Sequence, residues 1–212
     1  MLLTKNSVIA TSLSAMLVFS SAAFAGDSPN DIMMRIGSGN PIAGKVKSAM
    51  CQGCHGEDGN SLTPNFPKLA GQYASYIQKQ IRDFQAGSRT DPIMSGMAAT
   101  ITAEQDLLDI SAYFASQKQM KGDFPVASEG GRRRFMDDNG CVTCHGENGK
   151  GQAPNNPLFP VIGGQHKDYL VKQLNDFKNG VRHNDKSEMM PTITGFMSNA
   201  EIEEIATYVS GL

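Results

Sequence analysis

The sequence predicts an all-α fold of two tandem units related by internal duplication, and three observations carry that prediction. The segment CQGCHGEDG at 51–59 returns as CVTCHGENG at 141–149, a shift of 90 residues. Matches continue at a shift of 93, where Tyr76, Phe84, Gly87 and Arg89 meet Tyr169, Phe177, Gly180 and Arg182, and at 95, where Ile110 and Tyr113 meet Ile205 and Tyr208. Between these blocks apolar residues recur at helical spacing, and no stretch alternates as a half-buried strand would.

Residues 1–25 read as a secretory signal peptide. Lys5 is the only charge before Asp27, the run from Val8 to Phe24 is apolar and small, and Ala23-Phe24-Ala25 supplies the small-x-small pattern of a signal-peptidase cut. Cleavage is expected after Ala25, with export to an oxidising compartment. A retained membrane anchor is the lesser reading, because the run is at the short limit for spanning. Residues 26–40 form an N-terminal extension whose Met33, Met34 and Ile36 either pack on the first unit or fray. The first unit then covers 41–121, a linker 122–127 and the second unit 128–212.

Each unit opens with a short helix running toward its Cys pair, at Pro41–Cys51 and Ser128–Asp138, with Pro41 suited to a first turn. Gly- and Pro-rich loops follow at 56–71 and 146–164. Next comes an amphipathic helix, marked by Tyr73, Tyr76, Ile77, Gln80, Ile81 and Phe84 in one unit and by Tyr169, Leu170, Gln173, Leu174 and Phe177 in the other. Gly87 and Gly180 are the expected C-caps. A Met-containing loop precedes each last helix, for which Thr102 and Ser198 are the expected N-caps. Leu107, Ile110 and Phe114 face inward there, as do Ile202, Ile205 and Val209.

Composition narrows the function before any motif does. The balance of 19 Lys+Arg against 21 Asp+Glu argues against a highly basic nucleic-acid binder. A unit of about 85 residues buries a marginal core unaided. With ten Phe, five Tyr and no Trp, something other than protein is expected to fill each core.

Four Cys in an exported chain would ordinarily pair as disulfides. Their spacing points elsewhere, because Cys-x-x-Cys-His is the attachment signature of a c-type haem. Two thioethers at that spacing take the two vinyl groups of one porphyrin, and the adjacent His sits beneath the ring as proximal iron ligand. Cys51, Cys54 and His55 form one set, Cys141, Cys144 and His145 the other, so two covalently bound haem c groups are the expected cofactors. A thioredoxin-like dithiol would need a strand before the pair. Zinc held by two distant Cys pairs would leave both His and the duplication without a role.

For the sixth ligand, His166 and His183 occur in the second unit alone and are read as surface residues; Met is the alternative. Met94 stands eight residues before Thr102 and Met190 eight before Ser198, which pairs those two. Counting back from Tyr113 and Tyr208 nominates Met189 instead, and both registers stay open. The Pro67 and Pro160 carbonyls are candidate acceptors for the proximal His. Arg89 and Arg182 are either haem-propionate partners or solvated.

With the blocks NFPKLAGQ at 65–72, GSRTDPIM at 87–94 and DISAYFASQ at 109–117, the chain resembles the periplasmic dihaem cytochrome c4 family over nearly all of its mature length. The resemblance implies two cytochrome c-type domains in a pseudo-twofold arrangement, each around one covalently bound haem. It implies His55 with Met94 on one iron and His145 with Met190 on the other. It further implies a periplasmic electron carrier rather than an enzyme, passing single electrons from a quinol-oxidising complex toward a terminal oxidase. The partners are then redox proteins, with peripheral membrane association in some members and neither nucleic acid nor small-molecule substrate. One extra residue near 103–105 and the length of 26–40 depart from the family pattern. The residues leave three alternatives open: the electron-accepting cytochrome subunit of a periplasmic dehydrogenase, a dihaem peroxidase-like enzyme, or a haem-based redox or ligand sensor, which would require a labile Met. A peroxidase needs an open iron site with an acid–base group beside it, and no His or Glu recurs beside the Met positions.

Overall fold

A computed structural model describes residues 28–123, 128–151, 158–185 and 187–212. The expected signal peptide, the start of the expected extension and most of the expected linker lie outside the described residues. Those described are helical and contain no strand, and no helix among them is long and apolar enough to cross a membrane.

Each unit is built where its first helix crosses its last. In the first unit α2 (Pro41–Lys47) packs against α6 (Glu104–Ser116), while α3 (Ala49–His55) carries the chain through the Cys pair. The expected helix over 41–51 therefore breaks at Ser48 and resumes as far as His55. Asn40 caps α2 by accepting the amides of Ile42 and Ala43, and Pro41 occupies the first turn. The crossing needs Gly44, where a Cβ would lie 1.9 Å from the Asp109 carbonyl oxygen. Asp109 ties the same crossing with its side chain, accepting from Lys47 Nζ at 2.5 Å and from the Asn40 amide at 2.8 Å. Lys47 first, then the Asn40 amide and Gln105, hold its carboxyl down at about 2.

The second unit repeats the plan with α7 (Glu129–Arg133) against α11 (Asn199–Ser210); a Cβ on Gly131 would meet the Glu204 carbonyl oxygen at 2.1 Å. Gly131 stands ten residues before Cys141, whereas Gly44 stands seven before Cys51. A π-helical turn at Arg134–Asp138 and Gly140 at φ 63° absorb the difference, so the expected helix over 128–138 is not α throughout. The second Cys pair follows on α8 (Val142–His145).

The amphipathic helices are α4 (Ala74–Gln85) and α9 (Lys167–Lys178), as the periodicity predicts. Ile77, Ile81 and Phe84 of α4 join Leu107, Ile110 and Phe114 in one core; Leu170 of α9 joins Phe135, Ile202, Ile205 and Val209 in the other. The Met-bearing stretches are short helices rather than loops, α5 (Pro92–Ala99) and α10 (Met189–Gly195). Asp91 as N-cap and Pro92 in the first turn explain α5. Ser198 caps α11 in a capping box with Glu201, but α6 starts from Ala103 rather than Thr102, with Glu104 and Asp106 favouring its N-terminus by charge. The extension forms α1 (Pro29–Ile36), which packs on α6 and buries Arg35 and Ile36 while Met33 and Met34 stay exposed.

The two units meet through side chains repeated at the shift of 93. Gln72 binds both backbone groups of Val161, at 2.8 and 3.0 Å, and Gln165 does the same to Lys68, at 2.9 and 2.8 Å. Positions 68 and 161 are themselves equivalent, so the contact is a pseudo-twofold pair. Arg89 stacks on Phe84 of its own unit and donates to Gln173 and Tyr169 of the other. Arg182 stacks on Phe177 and donates to Gln80 and Tyr76 in return. Both guanidinium groups are buried, which corrects the solvated reading. Burial works against ionising Tyr76, but Arg182 and Arg89 outweigh it and hold the phenol below its ordinary pKa. His166 is not a surface residue either. It takes the place of Tyr73 in the duplication, is buried, and donates from Nε2 to the Ser61 carbonyl at 2.8 Å across the interface. His183 is exposed, as expected.

Candidate haem sites

A cavity of about 610 Å³ runs through both units beneath α4 and α9. Cys51, Cys54, His55 and Met94 line one end; Cys141, Cys144, His145 and Met190 line the other. Helical spacing sets the two cysteines of each pair three residues apart, on neighbouring positions of one helix face. All four thiols are free, so the disulfide alternative has no support. Burial pushes the Cys51 thiol up and the Cys141 thiol up to about 11, which keeps both protonated.

The histidines close α3 and α8 and point into the cavity wall from buried positions. His55 Nδ1 lies 2.8 Å from the Pro67 carbonyl oxygen and His145 Nδ1 3.1 Å from that of Pro160. A carbonyl can only accept, so in each ring Nδ1 carries the proton and the Nε2 lone pair is left free. Burial lowers both imidazole pKa values against the opposing effect of these carbonyls, which favours the neutral ring that a metal requires.

The methionines come from α5 and α10. Asp91 Oδ1 accepts the Met94 amide at 3.0 Å, and Asp185 Oδ2 accepts the Met190 amide at 2.8 Å. Four residues on, Ala98 and Thr194 are both fully buried. Met189 is more than a third exposed, with Sδ 3.8 Å from Cys144 Sγ. Between the two ends the wall is mostly apolar, interrupted by the Arg89–Gln173 and Arg182–Gln80 cluster. Neither arginine has a carboxylate at ion-pair distance among the described residues. Paired thiols, an imidazole with one nitrogen already committed, a thioether and an apolar wall are the donor set and surroundings that a covalently attached haem requires, so each end fits the group.

Two elements of this site escape a reading of motifs. The interfacial arginines divide their partners between the two units, although Gln80 and Gln173 on otherwise apolar helix faces at a constant shift are the signal that a buried polar cluster exists. Asn184 and Asp185 carry no motif at all.

The Cytochrome c family model matches residues 43–118 and 128–212. Cytochrome c4 of Pseudomonas aeruginosa is 43% identical over 183 residues, covering 82% of this chain and 90% of that protein. The crystal structure of reduced recombinant cytochrome c4 from Pseudomonas stutzeri aligns with a TM-score of 0.74 at 42% identity, covering 82% of this chain and 100% of that one. A thiosulfate dehydrogenase electron acceptor from Stutzerimonas stutzeri is 33% identical over 188 residues, covering 83% of this chain and 82% of that protein. Likeness at this level across both units makes the chain a member of the dihaem cytochrome c4 family, an electron carrier with two covalently bound haem c groups.

Proposed function

We propose that the chain is a periplasmic carrier passing single electrons from a quinol-oxidising complex toward a terminal oxidase. Its leader is removed after Ala25, and its haem domains are 41–121 and 128–212, joined by 122–127. Cys51, Cys54, Cys141 and Cys144 would anchor the two haems as thioethers, and His55 with Met94 and His145 with Met190 would ligate the irons. The observation that carries this reading is the pair of buried imidazoles, each with Nδ1 committed to a proline carbonyl, at the two ends of one cavity. Each haem, once attached, supplies an iron that alternates between ferric and ferrous. The chain's part is to fix the ligands, exclude water and place the two ends on one continuous interior. A Met ligand favours a higher potential than a second His would, and burial works in the same direction by penalising the more charged ferric state. Arg89 and Arg182 hydrogen-bond only neutral groups among the described residues, so their charge would be available to haem propionates.

Three features support Met190 over Met189: its amide is held by an aspartate as that of Met94 is, it precedes a fully buried residue by one turn, and Met189 is exposed. Met190→Ala is expected to abolish the sulfur-to-iron charge-transfer band of one ferric haem, while Met189→Ala keeps it. Loss of the band in the Met189 variant alone would reverse the assignment.

A second reading, electron acceptor of a periplasmic dehydrogenase, is favoured by the likeness to the thiosulfate dehydrogenase electron acceptor. Stopped-flow reduction of the oxidised protein separates the two. The quinol-oxidising complex is expected to reduce it faster than a thiosulfate dehydrogenase does, and the opposite order would establish the second reading.

A further inference from the structure

The interface departs from its pseudo-twofold symmetry beside α4, and that place leads to a candidate iron ligand. Lys79 and Asp83 on α4 have exact counterparts at the shift of 93 in Lys172 and Asp176 on α9. In the first unit this ion pair grips the second. Lys79 Nζ binds Asp83 Oδ2 at 2.5 Å and also donates to the Asn184 carbonyl at 2.8 Å. Asn184 Nδ2 donates to Asp83 Oδ2 at 2.6 Å and to Gln80 Oε1 at 3.0 Å, while its Oδ1 accepts from Arg182 Nε at 3.0 Å. Every polar atom of this buried amide is therefore committed, and only one orientation of it satisfies both an acidic acceptor and a guanidinium donor. The counterpart pair makes no such reach: Lys172 and Asp176 bind each other at 2.5 Å, and neither side chain bonds the first unit among the described residues. The equivalent of Asn184 is Asp91, whose carboxylate is spent capping α5.

The cause lies in the sequence. Arg89 is followed by Met94 after five residues, but Arg182 by Met190 after eight. The longer segment reaches across to α4. It also contains Glu188 at φ 52°, a left-handed conformation that a β-carbon disfavours, so it needs holding from outside. Asp185 Oδ2 takes the Met190 amide, and Thr194 Oγ1 donates to the Met190 carbonyl at 2.7 Å. Ala98, at the place of Thr194 in the first unit, has no hydroxyl to do this.

We infer that the first unit positions the axial Met of the second: Lys79, Gln80 and Asp83 clamp Asn184, and through Asp185 the clamp fixes Met190, with no reciprocal clamp on Met94. The inference rests on Met190 as ligand. It makes ligation at the second haem depend on the integrity of the first unit's α4 surface, whereas ligation at the first haem is internal to its own unit. Asn184 is on this account a positioning residue that never touches the iron.

The test uses the holoprotein. Asn184→Ala is expected to weaken the charge-transfer band of the second ferric haem alone and to lower that haem's potential. The Met190 amide should exchange at least about tenfold faster, the factor carried by loss of a charge-assisted hydrogen bond. Asp83→Asn, which preserves volume, should shift the second haem in the same direction, and the mirror variant Asp176→Asn should leave the first haem unchanged. Unaltered spectra and exchange in Asn184→Ala would overturn the inference, as would equal shifts at both haems, which would mark general loosening of the interface. Met190→Ala with Asn184 intact isolates the underlying reading: if it keeps the second band, the ligand assignment has failed, whatever the clamp does.

Discussion

Gly44→Ala is expected to destabilise the first unit by about 3 kcal/mol, the upper end of the usual cost of overpacking. The sign is the informative part. Alanine in place of glycine inside a helix ordinarily stabilises by up to about 1 kcal/mol. Here the added Cβ would sit 1.9 Å from the Asp109 carbonyl oxygen and 2.8 Å from Tyr113 Cβ, both on α6. A backbone carbonyl cannot swing aside as a flexible side chain can, so α2 must move off α6. That movement also breaks the bonds from Lys47 and the Asn40 amide to Asp109. Gly131→Ala should do the same in the second unit. Gly96 is the control: it lies in α5, nothing stands within 4 Å of where its Cβ would be, and Gly96→Ala should be neutral or stabilising. Chemical denaturation followed by circular dichroism reads all three. If Gly44→Ala unfolds at the wild-type denaturant midpoint, the two helices do not cross this closely.

How much of this is legible in the sequence depends on where the determining contact lies. The Cys-x-x-Cys-His sets are legible because attachment chemistry is a matter of spacing along the chain. The helices α4, α9 and α11 are legible because their apolar faces and, at Ser198 and Glu201, their caps are local. The helix α5 also had a local signal, Asp91 followed by Pro92, which a reading of the Met positions alone passes over. Gly44 is different: from sequence it is a weak helix former, and only α6 laid across it shows why no side chain fits. Arg89 and Arg182 are ambiguous for the same reason, since part of the acceptor set that satisfies each of them belongs to the other unit. His166 looks solvent-facing until Ser61 is brought to it by the docking of the two units.

The duplication therefore conveys more than the repeat of a motif. Several residues that recur at the shift of 93 build the inside of a unit, as Phe84 and Phe177 do, or the contact between units, as Gln72 and Gln165 do. Some residues that fail to recur mark where the two candidate haem sites differ. Thr194 against Ala98, Asn184 against Asp91 and the longer run to Met190 all fall on the second ligand segment.

Removing the first haem is expected to unfold the first unit and to weaken the second. The triple change Cys51→Ala, Cys54→Ala and His55→Ala removes both anchors and the proximal ligand, so no ring is retained. An empty apolar cavity costs about 24 cal/mol per Å³. For the whole cavity of about 610 Å³ that is on the order of 15 kcal/mol, and about half of it falls on one unit. The total stability of a domain is only about 5–15 kcal/mol, and a unit this small sits at the low end, so the first unit cannot stay folded around the void. The second unit keeps its own haem but loses what the first contributes at the interface: Gln72 on Val161, Gln80 and Tyr76 on Arg182, and Gln80 and Asp83 on Asn184. Arg182 would then be left with fewer acceptors, and the Met190 segment would lose its clamp. The expected result is one haem per chain, a loss of roughly half the helical circular dichroism, and a lower melting temperature for what remains. Full helicity in the triple variant would show that protein packing alone fills the first core. The mirror variant in Cys141, Cys144 and His145 completes the comparison. It should unfold the second unit while leaving the first haem's Met ligation intact, because among the described residues the second unit bonds Arg89 but no side chain of it bonds residues 90–94.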